Sequence, residues 1–320
     1  MLLDIQGVTT TFPSASGTVR AVNDVSFTID RGEVVAVVGE SGSGKSVTAL
    51  SVTRLVPQPP AVIEKGSAFL DGVDILALPP AQLRKVLGKR IAMLFQNAYS
   101  ALHPMRRVGD QLIETIRFHR NVSRYEADRI GRAILSDIGF ADPVGLMRCY
   151  SYQVSAGDAQ RAMLALALAG EPDLLIADEP TSLLDAVAQD EILIQLKEIQ
   201  SRTGMAVWLI THDFGVVSRL ADRVVVMYAG RAVEVGPAAD LLDRPYHPYS
   251  RGLIASVPSD GGHGRLRQIP GEIPDLTALP SGCSFRPRCD KASDRCGIQL
   301  PETYPVSPER AARCWLYAEA

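Results

Sequence analysis

The feature that most constrains the fold is the glycine-rich segment Gly39–Ser46, which fits the pattern G-x-x-x-x-G-K-[ST]. A continuous apolar run that ends at Val38 precedes it, and a helix-compatible segment, Val47–Leu55, follows it. In such a strand–loop–helix unit, backbone N–H groups can curl around phosphates at the N-terminus of the helix. Lys45 is placed to reach the β- and γ-phosphates, and the Ser46 hydroxyl is placed to bind Mg²⁺. The segment therefore predicts a nucleotide-phosphate site in an α/β fold.

Further apolar runs alternate with helical stretches such as Gln189–Ser201 and predict a mostly parallel sheet. These runs are Ile91–Phe95, Leu174–Ala177, Ala206–Ile210 and Val224–Tyr228. Val22–Ile29 alternates apolar and polar residues, which is typical of a half-buried strand. The stretch from about 111 to 169 has a helical pattern and is interpreted as a helical insertion. From Gly236 to Pro280, Pro, Gly and polar residues predict a linker or irregular extension that includes Ser259–Gly262.

Composition narrows the class of protein. The 320 residues carry a formal net charge of −3, which argues against a dedicated nucleic-acid binder. No run approaches the roughly 18 apolar residues that cross a bilayer, and no basic segment followed by an apolar stretch opens the chain. We therefore expect a cytoplasmic chain whose membrane role comes through a partner.

Two further segments carry groups suited to nucleotide hydrolysis. The apolar run that begins at Leu174 ends in two carboxylates, Asp178 and Glu179. Strand ends in α/β sheets are where ligand groups gather, so Asp178 is expected to hold Mg²⁺ through water and Glu179 to polarise the attacking water. His212 follows another predicted strand and could contact the γ-phosphate. Taken alone, the carboxylates could also be solvated acids, and the histidine could be structural.

Together these elements resemble an ABC-transporter ATPase. Gln96 matches the glutamine of the family's Q-loop, the run 177–185 matches Walker B with the D-loop, and His212 matches the switch histidine. Phe12 falls at the aromatic position that stacks on adenine in many relatives. The segments 226–230 and His247–Tyr249 are similar to dipeptide and oligopeptide permease ATPases, a group that also includes nickel-uptake ATPases.

The resemblance implies a RecA-like P-loop ABC ATPase core with an antiparallel β subdomain, a helical subdomain and a cysteine-rich C-terminal extension. The ATPase domain would cover residues 1–236, with the helical subdomain at about 97–169, and the extension would cover 237–320. Glu179, His212 and Gln96 would be catalytic, and Ser46, Gln96 and Asp178 would hold Mg²⁺. The ATP contacts would be Phe12, Gly39, Ser41, Gly42, Gly44, Lys45, Ser46, Ser155 and Gly157.

The same resemblance implies how the chain is assembled and what it does. It would energise peptide uptake at the cytoplasmic face of the inner membrane, as a peripheral subunit. Its partners would be two transmembrane permeases, a second homologous ATPase and an extracytoplasmic solute-binding protein, with no nucleic acid. Two alternatives stay open: an importer of nickel or another small solute, and a regulatory partner that binds ATP without hydrolysing it.

One departure from the family pattern concerns the signature motif, usually Leu-Ser-Gly-Gly followed by Gln or Met. Here it reads Val-Ser-Ala-Gly-Asp over residues 154–158, which we call the signature stretch. Ala156 adds a methyl group and restricts φ if that position is left-handed. Asp158 brings a negative charge, and two unit charges about 4 Å apart repel by about 4 kcal/mol at an effective dielectric constant near 20. We therefore expect a heterodimer with one strong and one weak hydrolytic site.

Four of the five cysteines, Cys283, Cys289, Cys296 and Cys314, lie close to the C-terminus. Disulfides are unusual in a cytoplasmic protein, and the spacing lacks the C-x₂-C pairs of common zinc ribbons. Four thiolates are also the ligand set of an iron–sulfur cluster. Similarity to the C-terminal region of peptide-permease ATPases implies a [4Fe–4S] cluster, while zinc and unligated cysteines stay open. Cys149 is given no role.

Overall fold

The computed structural model describes residues 1–15, 17–256 and 268–318. The chain divides into two compact units, which we describe separately. The first unit comprises residues 1–77 and 211–320, and the second comprises residues 78–210. Within the described ranges, none of the helices has the length and apolar character needed to cross a bilayer.

The strands are numbered in chain order through both units. They are β1 (Leu3–Ser14), β2 (Gly17–Ile29), β3 (Val34–Val38), β4 (Val62–Leu70), β5 (Val73–Asp74), β6 (Ile91–Leu94), β7 (Leu174–Asp178), β8 (Ala206–Ile210), β9 (Arg223–Tyr228), β10 (Arg231–Pro237), β11 (Tyr304–Ser307) and β12 (Arg310–Ala312). β6 to β8 belong to the second unit, and the other strands belong to the first.

The helices are numbered in the same way. They are α1 (Lys45–Val52), α2 (Pro80–Val86), α3 (Ala98–Ala101), α4 (Val108–Arg120), α5 (Arg124–Asp137), α6 (Pro143–Arg148), α7 (Ala156–Leu168), α8 (Ala186–Thr203), α9 (Phe214–Leu220), α10 (Ala238–Asp243), α11 (Pro248–Ala255) and α12 (Asp294–Ile298). α2 to α8 belong to the second unit.

In the first unit, β2, β1, β4 and β5 form an antiparallel sheet in that order. A second set of strands runs in the order β11-β12-β10-β9-β3, with β3 and β9 parallel and the other neighbours antiparallel. Every residue of β3 is buried, as the continuous apolar run predicts. Apolar residues of β3 and β9 form a core cluster with Tyr249 of α11 and Phe285.

In the second unit, β8, β7 and β6 are parallel neighbours, which confirms the predicted parallel α/β arrangement. The residues of β7 and β8 are all buried. The helix predicted at Gln189–Ser201 is α8, and it begins three residues earlier, at Ala186. It does so because the Asp185 carboxylate accepts hydrogen bonds from the N–H groups of Val187 (3.1 Å) and Ala188 (2.9 Å) and caps the first turn.

The prediction of an irregular linker from 236 to 280 is wrong in part, because α10 and α11 form there. Pro248 is the first residue of α11, where its missing N–H costs nothing. Nδ1 of His247 accepts the Tyr249 N–H at 3.0 Å and caps the helix. In this segment a proline therefore marks the start of a helix and does not indicate an irregular linker. The predicted linker segment Ser259–Gly262 lies outside the described residues.

Candidate nucleotide-binding site

The glycine-rich segment leaves β3 as a tight loop, the phosphate-binding loop (residues 39–46), whose backbone excludes side chains at two positions. Gly39 has φ +154° and Gly44 has φ +101°. A Cβ atom at Gly39 would collide with the carbonyl oxygen of Met227, and one at Gly44 would collide with that of Ala21. Only glycine accommodates both the left-handed backbone and the close approach. The loop thus exposes main chain where a phosphate group could approach it, and Ser41 and Gly42 are exposed.

Helix α1 begins directly at Lys45, and its N-cap residue, Gly44, offers no side chain to cap it. The first N–H groups of such a helix suit an anion. The Lys45 ammonium donates hydrogen bonds to the carbonyl oxygens of Gly39 (2.8 Å) and Glu40 (3.1 Å). The lysine therefore lies across its own loop, and Ser46, the next residue, is half-buried. These features fit a bound nucleotide phosphate.

Two more of the predicted site residues belong to the first unit. The Thr211 N–H donates to the carbonyl oxygen of Val37 at 3.2 Å, so the exposed His212 leaves the sheet beside the strand that leads into the loop. Phe12 is half-buried in β1, opposite Val19 of β2. Its strand packs on α1 through a buried hydrogen bond, 2.7 Å long, between the hydroxyl groups of Thr10 and Ser51.

The second unit brings Gln96 and Glu179 close together through a serine. Asp178 is buried at the end of β7, and Glu179 follows it with a left-handed φ of +45°. Ser182 Oγ donates to the Glu179 carbonyl oxygen at 3.2 Å and accepts from Gln96 Nε2 at 3.3 Å. A left-handed glutamate is uncommon and tends to occur where function holds the backbone. Sequence reasoning assigned no role to Ser182, although it lies within the run that matched Walker B and the D-loop.

In the signature stretch, Ser155 and Asp158 form hydrogen bonds with each other. Ser155 caps α7, where its Oγ accepts the Asp158 N–H at 3.1 Å and donates to the Asp158 carboxylate at 2.8 Å. Arg161 donates to the other oxygen of the same carboxylate at 2.6 Å. Ala156 is the first residue of α7, so its methyl group imposes no left-handed strain. Gly157 lies where a Cβ would come within 3.2 Å of the Ala188 side chain.

The expectation of a [4Fe–4S] cluster is wrong. Across 1–15, 17–256 and 268–318, no group of three or more His, Cys, Asp or Glu residues is arranged to hold a metal ion. The same finding removes the zinc alternative for these residues.

The four cysteines line a cavity of about 90 Å³ together with Phe285 and Trp315, and Cys283 and Cys289 also pack against the core cluster of the first unit. Burial raises the pKa of the Cys283 and Cys289 thiols, and it raises that of Cys314 to about 11. In this packing the four cysteines serve as small, mostly apolar side chains. Spacing along the chain could not separate that use from metal binding.

Two family models match the chain. The model described as "ABC transporter" matches residues 22–182. The model described as "Oligopeptide/dipeptide transporter, C-terminal region" matches residues 233–296.

Relatives match over nearly the full length. The "Probable D,D-dipeptide transport ATP-binding protein DdpD" of Escherichia coli is 46% identical, over 98% of this chain and 96% of its own length. The dipeptide transport ATP-binding protein DppD of Bacillus subtilis is 42% identical, over 98% of this chain and 94% of its own. Among solved structures, the ATP-binding cassette MJ0796, as a dimer in a post-hydrolysis state with ADP and Pi, is 25% identical with a TM-score of 0.67. That match covers 74% of this chain and 98% of the cassette.

Proposed function

The chain belongs to the ABC transporter family of ATPases, and from that premise we propose that it hydrolyses ATP to energise the import of dipeptides or oligopeptides. The observation that carries the ATPase assignment is the phosphate-binding loop, where only glycine fits and where Lys45 lies across the loop carbonyls. Support for the substrate class comes from relatives named for dipeptide transport and from the C-terminal family model.

The proposed roles follow the family motifs residue by residue. In the first unit, Gly39, Ser41, Gly42, Gly44 and Lys45 bind the ATP phosphates, Ser46 binds Mg²⁺, Phe12 stacks on adenine, and His212 contacts the γ-phosphate. In the second unit, Asp178 and Gln96 serve the metal, and Glu179 polarises the attacking water. Bound Mg²⁺ would neutralise charge on the β- and γ-phosphates. Ser155 and Gly157 would contact the ATP held by a partner ATPase.

We further propose a division into an ATPase domain, 1–236, with a helical subdomain at about 97–169, and a C-terminal extension, 237–320. The limits of the two family models, 22–182 and 233–296, support a boundary near residue 236. Helices α3 to α7 support the helical character of the subdomain.

The proposed assembly contains two membrane permeases, a solute-binding protein and a second ATPase, with this chain at the cytoplasmic face of the membrane. The names of the relatives support a transport complex. The signature stretch supports an unequal pair of ATPases, because the Ser155 hydroxyl already donates to Asp158 instead of standing ready for a phosphate.

The test replaces the proposed catalytic carboxylate by an amide in the complete transporter. We expect Glu179→Gln to lower ATP hydrolysis and peptide uptake by at least about 100-fold while ATP binding is retained, because general-base catalysis contributes about 10²–10⁴-fold. Glu198→Gln, an exposed position on α8, is the matched control and should leave both rates unchanged. Hydrolysis that survives Glu179→Gln would refute the catalytic role, and uptake of nickel but not of peptides would refute the substrate class.

A further inference from the structure

The phosphate-binding loop is held from outside by two side chains of the C-terminal half of the first unit. The Glu40 N–H donates to Tyr249 Oη at 2.8 Å. The Glu40 carboxylate receives two hydrogen bonds from the Arg288 guanidinium, from Nη1 at 2.8 Å and from Nη2 at 2.9 Å. Both the main chain and the side chain of one loop residue are therefore fixed.

The ion pair has the geometry of a strong contact. It is bidentate, and the Arg288 side chain is only 4% exposed, while that of Glu40 is 24% exposed. Fork-shaped pairing of this kind is specific to arginine and stronger than a single neutral hydrogen bond. Because Arg288 is nearly removed from water, loss of the carboxylate would leave a buried charge without its counter-ion.

Every nitrogen of the Arg288 guanidinium donates hydrogen bonds. Besides Glu40, it donates through Nε to the carbonyl oxygen of Pro270 at 3.0 Å and through Nη2 to that of Ile269 at 3.3 Å. Nη1 also reaches Tyr228 Oη at 3.5 Å. Five contacts match the five N–H groups of an arginine, so the group has one orientation and transmits that orientation to Glu40.

Arg288 and Tyr249, which we call the supports of the loop, are themselves held by aromatic packing. The rings of Tyr228, Tyr249 and Phe285 lie 4.6 to 5.4 Å apart, centroid to centroid. These rings are buried in the core cluster of the first unit. The supports are thus anchored in a packed core rather than on a surface loop.

Glu40, the residue held by Arg288 and Tyr249, in turn contacts Lys45 of the phosphate-binding loop. The carbonyl oxygen of Glu40 accepts a hydrogen bond from the Lys45 ammonium, and so does that of Gly39. The position of Glu40 therefore helps to set where the Lys45 ammonium lies. We propose that Arg288 and Tyr249 are positioning residues of the phosphate-binding loop, which keep it in its nucleotide-binding shape through Glu40.

The proposal rests on the proposed ATPase function and is tested on the full-length chain with Mg²⁺ and a fluorescent ATP analogue, together with ATPase assays of the complete transporter. Arg288→Met should raise the Kd and the KM for ATP about 10-fold with a much smaller change in kcat, because the loop is loosened while Glu179 is intact. Arg288→Lys should recover part of the affinity, and Tyr249→Phe should raise the Kd about 3-fold. Arg286→Met, in the same turn of chain, is the matched control and should bind like the wild type.

A double-mutant cycle separates positioning from a general effect on folding. Glu40→Gln should weaken ATP binding about as much as Arg288→Met, and the two changes together should weaken it little further, because both remove one interaction. Unchanged affinity in Glu40→Gln and Arg288→Met, or effects that multiply, would overturn the positioning role. A wild-type chain that binds no ATP would instead refute the proposed function, so the two failures are distinguishable.

Discussion

The phosphate-binding loop and the signature stretch are both expected to meet phosphates, yet they use their polar groups in opposite ways. The loop is shaped from outside, by Arg288 and Tyr249 on Glu40, and its own helix start carries no side-chain cap. The signature stretch shapes itself, since Ser155 caps α7 and also donates to Asp158. External support leaves donors available for a ligand, whereas a self-capped helix start has already engaged them.

The two regions also differ in their exposure to water. Arg288, Tyr249 and His247, which begins the helix of Tyr249, are buried. In the signature stretch Ser155 is exposed and Asp158 only half-buried. Buried charged contacts are sensitive to the loss of one partner, whereas exposed ones contribute about 0–1 kcal/mol. Changes around the loop should therefore have larger effects than changes in the signature stretch.

The largest expected difference is catalytic. Lys45→Ala should lower ATP turnover of the complete transporter by more than about 100-fold, because a cation on the β- and γ-phosphates is lost. Ser155→Ala should lower it by less than about 10-fold, because its hydroxyl hydrogen is already held by Asp158. Lys197→Ala, at an exposed position on α8, serves as the control. Equal losses from Lys45→Ala and Ser155→Ala would break the contrast between the two regions.

Local patterns made much of this architecture predictable. The apolar runs became buried strands such as β3 and β7 because such runs can be satisfied only inside a sheet. The spacing of glycines and lysine in residues 39–46 predicts the phosphate-binding loop. Even the Ser155–Asp158 pair has a local signal, a serine followed three residues later by an acid, which is a helix-cap pattern. Without that pattern, the charge of Asp158 predicts only repulsion from ATP.

Other features depend on contacts that no local pattern reveals. Arg288 and Glu40 are 248 residues apart, so only the folded core brings them together. The left-handed backbone of Glu179 depends on its setting, including a 2.9 Å hydrogen bond from its N–H to the Ile210 carbonyl oxygen. The cysteine spacing predicts a cluster wrongly, because the fold does not arrange these thiols around a metal position within the described residues.

Acid should destabilise the folded chain through His247, the buried residue that begins the helix of Tyr249. Burial, with a contribution from nearby Arg251, lowers the pKa of His247 to about 3, against about 6.5 in an unfolded chain. Below pH 6.5 the unfolded chain therefore binds the extra proton, and the free energy of unfolding falls by about 1.4 kcal/mol per pH unit until the folded pKa is reached.

His247→Asn keeps an acceptor for the Tyr249 N–H but cannot titrate. Urea unfolding at pH 7.5 and 5.5 should show that the wild type loses about 1.4 kcal/mol more than this variant. Equal losses in the two proteins would mean that His247 does not link the stability of the folded chain to pH.

The smallest effect should come from restoring the family pattern in the signature stretch. Ala156→Gly with Asp158→Gln removes the carboxylate that holds the Ser155 hydroxyl, so that hydroxyl can donate to a phosphate. One net hydrogen bond is worth about 0.5–1.5 kcal/mol, which corresponds to about 2- to 10-fold faster ATP turnover by the complete transporter. Because Ala156 is right-handed in α7, Ala156→Gly alone should change the rate little and is the matched control. A double variant no faster than the wild type would show that the Ser155–Asp158 bond does not limit hydrolysis, and the asymmetry proposed for the two sites would need another cause.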